Sequence, residues 1–130
     1  MATWEDVRRI ALQLPQTSEE ESYGSPSWRV HGKGFVWDRP LRRSDVEALG
    51  SKAPKGAILG VRTADLEMKE ALLKSDPDVF FTIPHFDGYA AVLVRLGKIG
   101  RKQLERVIVE AWLARAPKRA AAEFLARCKP

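Results

Sequence analysis

The chain has a single cysteine, Cys128, so it can form no intramolecular disulfide and no cysteine-based metal cluster. One thiol fits a reducing compartment, and this one is expected to be inert. Histidine is nearly as scarce, with only His31 and His85. No apolar run is long enough to cross a membrane. The N-terminus lacks the basic-then-apolar pattern of a secretory leader. These absences predict a cytoplasmic protein with no membrane partner. There is also no phosphate loop, no nucleophile–base pair and no metal-ligand spacing. The expectation is a chain that is not an enzyme and holds no metal or cofactor. No helix groups Arg, Asn and Gln on one face, so base-specific readout is not foreseen.

What the chain does have is positive charge, unevenly spread. Its 130 residues suit one domain, without repeats or a linker long enough to divide it. The net charge of +5 breaks down to −3 over residues 1–27, +5 over 28–62, −4 over 63–94 and +7 over 95–130. Such asymmetry suggests an acidic partner, nucleic acid among them. Simple solvation of a small protein is the plainer account of the same charges.

The stretch Tyr23–Trp37 reads as a β-hairpin with a basic tip. Trp28 and Val30 alternate, as do Phe35 and Trp37, with the period of a strand. A two-residue loop at Gly32-Lys33, of type II′, would pair Val30 with Phe35 and Trp28 with Trp37. All four would then share the core face, with Arg29 and Val36 on the other. Lys33 would project from the tip, and His31 would line the outer face with Arg29.

Around this hairpin the pattern predicts helices and short strands. Thr3 caps a first helix whose stripe is Trp4, Val7, Ile10, Ala11 and Leu14, ended by Pro15. Glu19-Glu20-Glu21 reads as a solvated loop or the start of a strand. Ser44 caps a short helix to about Leu49. Ala57–Arg62 is a strand in which Gly60 signals close packing or a bulge. Thr63 caps a helix from Ala64 to about Ser75. Val79–Ile83 and Tyr89–Leu96 are strands joined through Asp87-Gly88, a strong turn signal. Leu104, Val107, Ile108, Ala111 and Trp112 mark the strongest helix, and a last one runs over Lys118–Cys128. The order predicts an α+β fold, an antiparallel sheet with helices packed on one face.

Several short motifs fall in the order of a known family. Leu14-Pro15, Glu19, Tyr23-Gly24, Pro26, Trp28-Arg29-Val30, Gly32-Lys33 and Phe35 resemble the N-terminal signature of the MmcQ/YjbR-like family. Pro77, Phe80, Pro84-His85, Gly88-Tyr89 and Leu93–Leu96 resemble its second half, and Ala111-Trp112 its C-terminal helix. The match spans about Trp4 to Arg115, so the helix from about residue 117 is an addition to a single family domain. The resemblance implies a bacterial cytoplasmic protein with a "double wing", two β-hairpins flanking a helical layer. The family carries a DNA-binding label by analogy of shape. It brings no agreed catalytic or base-reading residues, and analogy of fold alone is a weak warrant.

Three sets of residues are candidates for function. A basic surface of Arg29, Lys33, Arg39, Arg42, Arg43, Lys52 and Lys55 could contact phosphates. Asp87 in the second turn opposes that reading, and charge protecting a sheet edge is the competing account. A ligand pocket could form around Tyr23, His31 and His85, with Trp28 and Asp87 beside them. A structural hydrogen bond by His85 is the plainer expectation. Trp4, Trp28, Phe35, Trp37 and Trp112 could stack bases, but their spacing favours core packing. The sequence therefore points first to a non-enzymatic DNA-binding protein with a basic hairpin surface and mainly phosphate contacts. The alternative is a protein–protein or small-ligand adaptor.

Overall fold

The computed structural model describes residues 2–22, 24–54 and 56–128, with only the backbone of Ser22, Lys52 and Cys128. The first helix, α1 (Trp4–Gln13), starts from a reciprocal cap. Thr3 Oγ1 accepts from the Asp6 amide at 3.3 Å, and Asp6 Oδ2 accepts from the Thr3 amide at 3.0 Å. The anticipated stripe holds, with Val7, Ile10, Ala11 and Leu14 all buried.

Three strands follow: β1 (Thr17–Ser22), β2 (Ser25–Val30) and β3 (Lys33–Asp38). The glutamate run is thus a full edge strand. Its charge and lack of alternating apolar residues hid it, yet those features suit an edge that must not recruit another strand. Next come α2 (Arg43–Leu49), β4 (Ile58–Arg62), α3 (Leu66–Ser75), β5 (Phe80–Phe81), β6 (Ala91–Arg95), α4 (Arg101–Arg115) and α5 (Lys118–Cys128). The six strands form one antiparallel sheet in the order β1-β2-β3-β4-β6-β5. Both foreseen hairpin regions belong to this single sheet.

The hairpin register differs from the sequence expectation. The loop is His31-Gly32, flanked by the Val30–Lys33 pair, and both loop residues have positive φ (50° and 77°). That is the pattern of a type I′ turn. The register then shifts: Arg29 faces Gly34, but Trp28 faces Val36, leaving Phe35 as an extra residue on β3. Phe35 and Val36 therefore both enter the core, each fully buried. Trp37, opposite Ser27, turns to the other face of the sheet. The expected grouping of Trp37 with Trp28, and of Val36 with Arg29, is reversed by this one bulge.

Other local corrections are smaller. The cap of α3 is Asp65, which accepts from the Met68 amide at 2.8 Å, while Thr63 Oγ1 donates to the Asp65 carbonyl at 2.9 Å. Arg42, not Ser44, precedes α2, and Asp45 accepts from its amide at 2.9 Å. The β5–β6 connection is no tight turn at Asp87-Gly88. It holds a single 3-10 turn over Pro84–Phe86, and β6 begins at Ala91.

The sheet separates two apolar clusters. On one face Trp28, Val30, Phe35, Val36, Leu59, Val61, Val92 and Val94 pack under α1 and α4. Leu72 and Leu73 of α3 and Phe124 of α5 complete that layer. The Phe124 ring lies 5.1 Å from the Trp112 ring. On the opposite face Ile58, Phe81, Ile83, Phe86, Ala91 and Leu93 form a smaller cluster with Trp37, Leu41 and Leu49. The fold is α+β as expected, with the longer helices on one face. Short α2 and the 3-10 turn lie over part of the other, and the rest of that face is open.

Candidate functional site

The open part of the outer face forms a groove of about 580 Å³. The alternation of β2 sends Trp28 and Val30 into the core, so Ser27 and Arg29 face outward into the groove. The bulge sends Trp37 to the same side. Gly60 makes room for it: a Cβ at that position would lie 2.6 Å from Trp37 Nε1 and 2.9 Å from Cζ2. The indole thus lies directly on the β4 backbone. This is the close packing that a glycine inside a strand signals.

The chain leaving β3 supplies the next wall, with Arg39, Pro40, Leu41 and Arg42. Phe86 and Tyr89 come from the β5–β6 connection, and Arg115 from the C-terminal end of α4. Phe86 and Tyr89 meet edge to face, their centroids 5.5 Å apart. The Arg62 guanidinium sits 4.8 Å from the Tyr89 ring centre. Lys69 fixes this loop from behind. It is buried, and its Nζ donates to the Phe86 carbonyl at 2.6 Å and the Tyr89 carbonyl at 2.8 Å. Burial lowers its pKa, although the charges of Asp87 and Glu70 work the other way.

The groove's charge is mainly positive. Arg29 Nε lies 3.3 Å from Ser27 Oγ and 3.6 Å from Glu20 Oε2, a loose and partly exposed pair. Arg42 is exposed. Arg115 has a buried Nε with no hydrogen-bond partner among the described residues. The acid lining the groove is Asp38, and burial raises its pKa. Arg39 differs from the other arginines. It is buried, 3.1 Å from Asp45 Oδ2, donates to the Pro40 carbonyl and lies 5.8 Å from the Phe86 ring centre. It braces the loop and does not project from the surface as the basic-surface reading implied.

The remaining expected site residues are scattered. Lys33 is exposed at the start of β3, and Arg43 is exposed beside Glu47, 3.4 Å away. Lys55 and Tyr23 lie outside the described residues, as does the side chain of Lys52. His31 is exposed in the hairpin loop against Gln16 Oε1. His85 is exposed in the 3-10 turn with its ring 6.1 Å from Phe86. Neither histidine lines the groove. Asp87 is likewise exposed and outside it. Among the described residues no cluster of His, Cys, Asp or Glu could hold a metal ion. No helix there is long and apolar enough to cross a membrane.

Sequence reasoning missed Trp37, Phe86, Tyr89 and Arg115 as groove residues. The signal that could have found Trp37 was Gly60, whose close packing was expected without a partner being named. A glycine amid Ile58, Leu59 and Val61 asks which large side chain needs its space.

The fold and site define an α+β sheet protein whose outer face carries a cationic, aromatic groove. Comparison with known proteins makes the assignment particular. The YjbR family model matches residues 12–114, and the chain belongs to that family. Uncharacterised proteins of Mycobacterium tuberculosis and Mycobacterium bovis are 53% identical over 129 residues, covering 97% of this chain and 98% of theirs. That alignment omits too few residues to leave out α5, which the family model does not reach. The fold is also similar to the crystal structure of Deinococcus radiodurans protein DR2400, a DUF419 domain. The TM-score is 0.63 at 18% identity, covering 87% of this chain and 78% of that one.

Proposed function

We propose that this is a cytoplasmic, non-enzymatic DNA-binding protein that holds phosphates in the outer-face groove and along the neighbouring hairpin. The observation that carries the reading is that Arg29, Arg42 and Arg115 line one groove in which, among the described residues, Asp38 is the single lining carboxylate. Guanidinium groups favour phosphate through paired, charge-assisted hydrogen bonds. Lys33 and Arg43 are exposed and extend the positive surface, Arg43 from an exposed pair with Glu47. With no grouped base-reading side chains, affinity comes mainly from phosphate neutralisation.

Fluorescence anisotropy with labelled DNA across a salt series tests this. The expected affinity is on the order of micromolar, with log K falling linearly as log salt rises. Replacing Arg42 and Arg43 together by Gln should weaken binding about tenfold or more and flatten the salt slope by roughly two. Both side chains are exposed, so the fold should survive the change. Absence of binding at low salt, or an unchanged double variant, would overturn the proposal. Such a result would favour a small-ligand adaptor instead, because about 580 Å³ lies within the usual range for small-molecule sites.

A further inference from the structure

We infer that the groove is a site for single-stranded DNA, whose bases stack on Trp37 and Tyr89 while Arg29, Arg42 and Arg115 hold its phosphates. The inference rests on the DNA-binding reading and narrows it. Each ring is supported on one side. Trp37 lies on the Gly60 backbone, and Tyr89 carries the Arg62 guanidinium at 4.8 Å. Both also line the groove, and Tyr89 is 41% exposed. Supported rings with a free surface are what unpaired bases use, since every base has a π-face whatever its identity. A duplex keeps those faces closed within its own stack. The volume of about 580 Å³ also matches an extruded nucleotide or two better than a double helix.

The charges fit the same ligand. Arg29 and Arg42 come from β2 and from the chain after β3, and Arg115 from α4, and all three line the groove with the rings. Arg115 is half-buried and lines the groove, so its guanidinium stands with Arg29 and Arg42 as a phosphate donor. Opposing them are Asp38 in the groove and Glu20, whose 3.6 Å pairing with Arg29 is loose enough to yield to phosphate. The assignment to DNA follows the DNA-binding reading, since Ser25, Ser27 and Asp38 line the groove along with Pro26, Leu41 and Phe86 and could bond a 2′-hydroxyl.

The test is anisotropy with labelled oligothymidylate, labelled oligouridylate and a labelled duplex of equal length. Oligothymidylate should bind roughly tenfold tighter than the duplex, with a salt slope near −2 for about three phosphate contacts. Tyr89→Ala should weaken oligothymidylate by about 5- to 100-fold and leave the duplex unchanged, and Tyr89→Phe should restore it. Tyr89 is exposed enough for these variants to fold, whereas Trp37→Leu also disturbs packing and serves as the second arm. Duplex binding as tight as single-strand binding, with no effect of Tyr89→Ala, would overturn the inference while leaving DNA binding intact. Tighter oligouridylate binding would overturn the assignment to DNA. Failure of all three probes at low salt would overturn this inference and the broader reading together.

Discussion

The two faces of the sheet each hold a tryptophan from the same hairpin, and they use it in opposite ways. Trp28 is 1% exposed, stacked 6.3 Å from Trp4 under α1. Its Nε1 donates to Glu19 Oε1 at 2.9 Å, and the same carboxylate takes Arg8 Nε at 2.8 Å. The Arg8 hydrogen bond, more than any other contact, holds the Glu19 carboxyl below its usual range. Trp37 is half-buried, makes no hydrogen bond through its ring nitrogen among the described residues, and lies against Gly60 facing a groove. What separates their fates is Phe35. One extra residue on β3 turns everything after it to the opposite face. The covered face is built for stability, and the bulge supplies the open face with its largest ring.

The strongest way to break this comparison is Trp28→Ala. Losing a buried indole should cost about 3–5 kcal/mol, a large part of a small domain's stability. Trp37→Ala should cost distinctly less in the same urea titration because its ring is already half in solvent. Equal losses would mean that the outer face is as much a core as the inner one. Next in size is Gly60→Ala. The new methyl would meet the Trp37 indole within 2.9 Å, an overpacking that costs about 1–3 kcal/mol. A double-mutant cycle with Trp37→Val isolates the clash. The methyl should be tolerated once the indole is gone, giving a coupling of about 1 kcal/mol or more. Additive losses would show that Gly60 is needed for its backbone rather than for the space it leaves.

The helical layer was legible because a 3.6-residue stripe needs no knowledge of register. Val7, Ile10 and Ala11 in α1, and Leu104 to Trp112 in α4, fall where their spacing puts them. The family motifs were legible for the same reason, being order and spacing along the chain. The outer face was not, because strand faces depend on register and register depends on one residue. Placing the turn at His31-Gly32 required a non-glycine residue at positive φ, which sequence rules rank below glycine. Arg29 and Arg42 were recognisable as surface cations, but Arg39 was not separable from them. Only folding shows that Asp45 and Phe86 enclose it. Tyr89 and Arg115 reach the groove from distant points in the chain, and local pattern gives no measure of that convergence.

The smallest predicted effect concerns Asp38, the carboxylate lining the groove, and it separates the faces by their response to pH. Burial raises the Asp38 pKa above its ordinary value of 3.8. A carboxyl whose pKa rises on folding binds its proton more tightly in the folded state. Its contribution therefore favours folding below the unfolded pKa and is lost as pH rises through the folded one. Asp38→Asn should consequently gain stability at neutral pH, by less than about 1 kcal/mol, with the gain vanishing below pH 3.8. Glu19, on the edge strand beside Trp28, should behave in the opposite sense. Its lowered pKa supports folding above 4.5 and loses that support as pH falls through the folded value. Parallel acid titrations of wild type, Asp38→Asn and Glu19→Gln would show the two trends. Removing a negative charge from among three arginines should also tighten DNA binding several-fold at low salt and less at high salt. An Asp38→Asn protein that binds no tighter at low salt would place the phosphates away from the groove, on the exposed hairpin cations alone.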